Sequence, residues 1–144
     1  MEGKGIHAHK IVLSVLSEHF RAMFADGFRE RAEHEVEIGG GMRYRTFHAV
    51  MLFIYTGEAP SLRSNTFEDS IELLLEILGV ADLYVLDALK HRCELALSDA
   101  VRDDTYDILS ATAERHNANQ LRDVCAHFLR NRDLRQSDRL SGFR

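Results

Sequence analysis

The groups in this chain that could do chemistry are few, and their spacing argues against most of it. His7 and His9 stand two apart in Ile6-His7-Ala8-His9, where apolar and polar side chains alternate. On a strand, residues two apart share a face, so both imidazoles could address one metal ion. Zinc needs three or four ligands, and the sequence fixes no third Cys, His, Asp or Glu beside them. Packing or hydrogen bonding near a turn is the better reading, and no metal is expected. Cys125 and His127 have the types of a nucleophile and its base, but both sit in a helical pattern, where i and i+2 diverge. Cys125 reads as the inward residue between Leu121 and Phe128. Ser17, Glu18 and His19 hold the types of a hydrolase triad, yet consecutive residues do not converge on one substrate atom. Gly39-Gly40-Gly41 follows a strand-like stretch without the spacing of a phosphate loop. Neither catalysis nor a cofactor is expected.

Two surface features remain. Phe67-Glu68-Asp69 sets a large apolar residue and two acids in a polar stretch just before a helix. Taken alone, it reads as a hydrophobic staple, with Phe67 folding back on that helix. Arg43, Arg45, Arg130, Arg132 and Arg135 could suggest an RNA surface, but acids are interspersed and no aromatic platform accompanies them. A solvated surface is the better reading.

The elements that position these groups follow from periodicity. Residues 6–9 alternate as a short strand does, and 10–16 crowd apolar residues into a short helix. Ser17 sits where an N-cap belongs. Phe20, Met23 and Phe24 behind it share one helix face. Asp26-Gly27 closes that helix, with Gly27 suited to a left-handed position. Gly3-Lys4-Gly5 could turn a hairpin over 3–9, residues 35–38 alternate as a strand, and the stretch around Pro60 suits an edge strand.

Helices are expected over 43–55, with Phe47, Val50, Met51 and Ile54 inward, and from Asp69 or Ser70 through 81. The latter shows a face of Ile71, Leu74, Leu75, Leu78 and Ala81 and a second of Leu73 and Ile77. A helix over 87–97 turns Leu86, Leu89, Cys93, Ala96 and Leu97 inward. Helices over 104–116 and 119–131 should pack as an antiparallel pair across a short link at Asn117-Ala118, presenting Ile108, Leu109, Ala113, Leu121, Val124, Cys125, Phe128 and Leu129. Beyond Arg132 the pattern dissolves into a polar, Arg-rich tail.

The totals agree with an ordinary folded domain. A chain of 144 residues can bury one real core. A net charge of −5 argues against a nucleic-acid partner. No run approaches the roughly 20 apolar residues a membrane span needs. Cys93 and Cys125 are far apart in helical patterns, so buried free thiols and a cytoplasmic or nuclear location are expected.

In this order the residues resemble a known family. His7-Ala8-His9-Lys10, Leu13, Ser17, Phe20 and Met23-Phe24 resemble the opening signature of BTB/POZ domains. Phe53-Ile54-Tyr55-Thr56-Gly57-Glu58 looks like that family's Tyr-x-Tyr-Thr-Gly segment, with Phe53 for the first Tyr. Ala81-Asp82-Leu83-Tyr84, then Leu86, Leu89 and Cys93-Glu94, resemble its closing helices. Ile108-Leu109, Ala113, Leu121, Cys125 and Phe128-Leu129 resemble the helical pair, the 3-box or start of a BACK domain, that comes next in cullin-binding members. The family's first-strand Asp, the usual partner of the basic position held here by Lys10, would lie before Met1. So would the leading helix of dimeric members.

The resemblance implies an α+β fold: a small mixed sheet flanked by a helical cluster, plus a C-terminal helical hairpin. It divides the chain into an N-terminally truncated BTB/POZ domain over 1–99, a 3-box/BACK-like pair over 100–131 and a flexible tail over 132–144. It implies a protein-interaction module that is not an enzyme, within a substrate adaptor for a cullin-RING ubiquitin ligase. Phe67, Glu68 and Asp69 would then match a hydrophobic-x-Glu motif and grip a cullin scaffold, while a domain outside this chain holds substrate proteins. Val15, Leu16, His19 and Met23 would form the face for self-association. The alternative is a homodimerisation module of a transcription regulator or cytoskeletal scaffold without cullin binding.

Overall fold

A computed structural model describes residues 8–26, 42–58 and 67–142. Helices dominate them: α1 (Lys10–Leu16), α2 (Glu18–Asp26), α3 (Tyr44–Thr56), α4 (Phe67–Leu83), α5 (Asp87–Ser98), α6 (Tyr106–Arg115) and α7 (Asn119–Ser141). The chain divides into two compact units, Met1–Cys93 and Glu94–Arg144.

The expected α+β class with its mixed sheet is overturned, because the described residues contain helix and connection but no strand. Ala8 and His9 show why a short alternation misleads. His9 has extended angles, φ −95° and ψ 121°, but only as the residue that enters α1. Its N–H donates to the Tyr55 hydroxyl at 2.6 Å, where a strand would send it into a ladder. Four alternating residues do not compel pairing. The other expected strand positions, 3–7, 35–38 and the stretch around Pro60, lie outside the described residues, as do His7, Gly27 and the Gly39–Gly41 run.

In the first unit, α3 and α4 supply the interior. Phe47, Val50, Met51 and Ile54 recur at helical spacing on α3 and are all buried. Burying each such side chain contributes about 1.5–3 kcal/mol. On α4, Ile71, Leu74, Ile77, Leu78 and Ala81 are buried, while Leu73 and Leu75 are half-buried. The two expected faces thus merge into one broad stripe.

The ends of these helices are set by backbone chemistry. Gly57 closes α3 at φ +74°, a conformation that costs glycine little. The C-terminus of α4 is a Schellman motif: the Leu86 N–H donates to the Ala81 carbonyl at 2.8 Å and the Val85 N–H to the Asp82 carbonyl at 3.3 Å. Its left-handed position is held by Val85, φ 55°, where a β-branched residue is strained.

In the second unit, α6 and α7 pack as a hairpin whose turn is also a Schellman motif, with Asn117 at φ 51° and the Ala118 N–H on the Ala113 carbonyl at 2.9 Å. Asn tolerates that conformation. Leu109, Ala113, Leu121 and Cys125 are buried, but Ile108, expected inward, is 53% exposed. Leu109 already fills the inward position one residue on. Helix α7 does not stop near Asn131; it runs to Ser141, with Gly142 beyond it. No Gly or Pro interrupts it, and the Arg, Gln and Leu in this stretch are good helix formers.

Candidate interaction surfaces

Ser17 is the point where the first unit is tied together. It separates α1 from α2 in extended conformation, φ −138°. Its hydroxyl accepts the Phe20 N–H at 3.3 Å, capping α2, and donates to the Tyr84 carbonyl at 2.6 Å. One buried oxygen thereby joins the start of α2 to the end of α4. Aromatic rings close around the joint. Phe20 is 2% exposed, with its ring centroid 4.9 Å from that of Tyr84 and 6.0 Å from that of Phe24. His19 stacks on Tyr84 at 4.7 Å. Burial pushes the Tyr84 phenol above the ordinary tyrosine range.

This geometry settles the triad types. Ser17 spends its hydroxyl on two backbone groups, Glu18 pairs with Arg21 at 3.1 Å, and the His19 ring lies on Tyr84. Cys93 and Cys125 are buried and not joined in a disulfide, and burial raises the Cys125 pKa. A raised pKa leaves less thiolate, the opposite of a nucleophile's requirement. His127 hydrogen-bonds Asn131 at 3.1 Å on the exposed side of α7. His9 packs against Tyr55. Among the described residues no group of three or more His, Cys, Asp or Glu could hold a metal ion.

The residues expected to meet partners fall in different settings. Val15, on α1, is 75% exposed, an apolar side chain presented outward. His19 is half-buried under its stack. Glu68 and Asp69 are exposed in the first turn of α4, where acids complement the helix dipole. The side chains of Leu16, Met23 and Phe67 lie outside the described residues, although the backbone places each on its helix.

The arginines of the two units behave differently. Arg43 pairs with Glu72 at 2.8 Å and Glu76 at 3.2 Å, Arg45 stands 3.7 Å from Glu72, and the Thr46 hydroxyl donates to Glu76. These half-exposed pairs fix the start of α3 against α4 and contribute on the order of 1 kcal/mol or less each. Sequence reading places Arg43 and Arg45 in solvent and misses this seam, because it depends on two helices meeting.

A second unforeseen feature is Glu94. It is 6% exposed, and its carboxylate accepts the Gln120 N–H at 2.9 Å and the Leu121 N–H at 3.1 Å. It caps α7 from another helix and satisfies two of the N–H groups a helix start leaves unpaired. Nearby, the Thr105 hydroxyl donates to the Ala100 carbonyl at 2.6 Å and accepts the Arg102 N–H at 2.9 Å, shaping the approach to α6.

The described groups thus lock helices together and leave outward faces. The sequence pattern of the BTB/POZ domain matches residues 1–101, and the chain belongs to that family. Its domains are protein-interaction modules, not catalytic ones. The chain is similar to an "ARM repeat protein interacting with ABF2" of Arabidopsis thaliana, 31% identical over 141 residues, covering 98% of this chain and 18% of that protein. It also resembles "armadillo BTB Arabidopsis protein 1", 35% identical over 129 residues, 90% of this chain and 16% of that one. "TD and POZ domain-containing protein 2" of Mus musculus is 33% identical over 127 residues, 88% of this chain and 33% of that protein. The chain therefore spans a third or less of these relatives' lengths. No helix among the described residues is long and apolar enough to cross a membrane.

Proposed function

We propose that this chain is a self-association module of a larger regulatory or scaffolding protein. The face that pairs is α1 and the start of α2, with Val15 as its apolar contact and Leu16, His19 and Met23 beside it. The observation that supports this reading is Val15 itself, an exposed branched side chain on a helix whose Leu13 is buried. Membership of a family of interaction modules, and relatives built as longer proteins, favour it over an isolated function. Analytical ultracentrifugation tests it: the chain should dimerise, and Val15→Asp should weaken the dimer by roughly tenfold or more, since it places a charge in an apolar contact. A chain that sediments as a monomer at every concentration overturns it.

A second reading is a cullin-RING adaptor. It draws on Glu68 and Asp69, exposed at the first turn of α4, with Phe67 completing the motif, and on α6 and α7 as a 3-box/BACK-like pair. The domain division 1–99, 100–131 and 132–144 belongs to this reading. It predicts capture by a cullin N-terminal region that is lost in Phe67→Ala. A folded dimer without cullin affinity decides for the first reading.

A further inference from the structure

The helical extension of α7 sorts charges that the sequence interleaves. At 100° per residue, Arg132, Arg135 and Arg139 fall within an arc of about 60°. Asp133 and Asp138 project to either side of that arc, and Arg130 projects to the opposite face. An open groove of about 410 Å³ runs along the arginine side, lined by Phe128, Asn131, Arg132, Arg135, Gln136 and Arg139. Asp103 is the one acid among the described residues that line it. One aromatic ring, Phe128, lines it; Phe128 stacks on Tyr106 at 5.8 Å, and the Arg132 guanidinium lies over the Tyr106 ring, 5.3 Å from its centroid. Arg132 is thereby oriented before any partner arrives. Among the described residues no carboxylate stands within ion-pairing distance of Arg132, Arg135 or Arg139.

We propose that this groove docks an acidic segment of a partner protein, with carboxylates on the three arginines and an apolar residue over Phe128. Guanidinium forks match carboxylates in pairs, and their spacing along one helix face suits an extended acidic strand or a helix turn. A protein is favoured over a nucleic acid on two grounds. The chain carries a net charge of −5, which repels a long polyanion more than a short acidic segment, and the three arginines among the described lining residues match a few carboxylates rather than an extended phosphate backbone. The groove residues lie beyond the matched residues 1–101 and share none with the self-association face, so this proposal stands whether or not the chain dimerises.

The test is fluorescence anisotropy of the full chain with a short labelled peptide of glutamates around one leucine. Binding should saturate and weaken as salt rises. Arg135→Glu combined with Arg139→Glu should weaken it by about tenfold or more with the helical circular dichroism intact. Arg135→Lys with Arg139→Lys, which keeps the charge and loses the fork, should weaken it less. Arg130→Glu, on the opposite face, should leave it unchanged. No binding, an equal loss from Arg130→Glu, or tighter binding of a labelled oligouridylate would each overturn the proposal.

Discussion

Replacing Ser17 by Ala removes one oxygen, and the structure says what that oxygen does. It accepts the Phe20 N–H at the start of α2 and donates to the Tyr84 carbonyl past the end of α4, at a site 1% exposed. Losing the cap costs about 1 kcal/mol. Leaving a buried carbonyl without its donor costs about 1–3 kcal/mol more. The two terms share one atom and need not add fully, so the expected loss is about 2–4 kcal/mol. With a urea m-value of about 2 kcal/mol/M, the midpoint falls by about 1–2 M. The chain has no tryptophan, so the transition is followed by far-UV circular dichroism. Hydrogen exchange at the Phe20 amide supplies the local check, because its protection should collapse in the variant before that of α3. Tyr84→Phe is the control: it keeps the carbonyl and the ring, and should change stability at neutral pH by no more than about 0.5 kcal/mol. If Ser17→Ala melts within that margin of the parent and the Phe20 amide stays protected, the hydroxyl is not the tie between these helices.

Three further outcomes rest on single residues. Val85→Asn should stabilise the protein by about 1 kcal/mol in a denaturation series, because it relieves a β-branched residue at the left-handed position of the α4 cap. Glu94→Ala should destabilise the second unit by about 1–3 kcal/mol, and Glu94→Gln, which keeps an acceptor for the Gln120 and Leu121 amides, by less; equal losses would show that the hydrogen bonds are not responsible. The folded Tyr84 pKa lies above its unfolded value of about 10. The folded state therefore holds its proton longer, and stability present below pH 10 declines as pH rises through the window above it. Tyr84→Phe should make that decline shallower in urea midpoints measured across the alkaline range.

The features legible in the sequence are those that depend on neighbours along the chain. The inward residues of α3 and the capping place of Ser17 come from spacing and residue type, and the structure carries both. The features that escape it depend on which elements meet. Ser17 as a cap is local; Ser17 as donor to Tyr84 requires α4 to arrive there. Arg43 and Arg45 look solvated until Glu72 and Glu76 stand opposite. Glu94 follows Cys93 in a pattern that resembles the family's closing helix, and nothing local says that its carboxylate is buried under the start of α7. The mixed sheet failed for the opposite reason. Ala8 and His9 carry a local strand signal, but the His9 N–H is taken by Tyr55, forty-six residues away. Val85 could not be foreseen, since a β-branched residue is among the last expected at a left-handed cap.

The family match ends at residue 101, whereas the packing divides the chain at Cys93 and Glu94, and α5 crosses the division. The two boundaries answer different questions. A match tracks the residue pattern of the helix that closes the domain, and α5 keeps that pattern through Leu97. Packing groups Glu94 and the residues after it with the helices ahead, and two contacts illustrate it: Glu94 holds the start of α7, and the Ala100 carbonyl receives the Thr105 hydroxyl. The last turns of α5 therefore serve the fold of the α6–α7 hairpin. Residues 94–101 belong to the family by sequence and to the second unit by packing. A variant there should be judged first on α6 and α7, and only then on the domain whose pattern it carries.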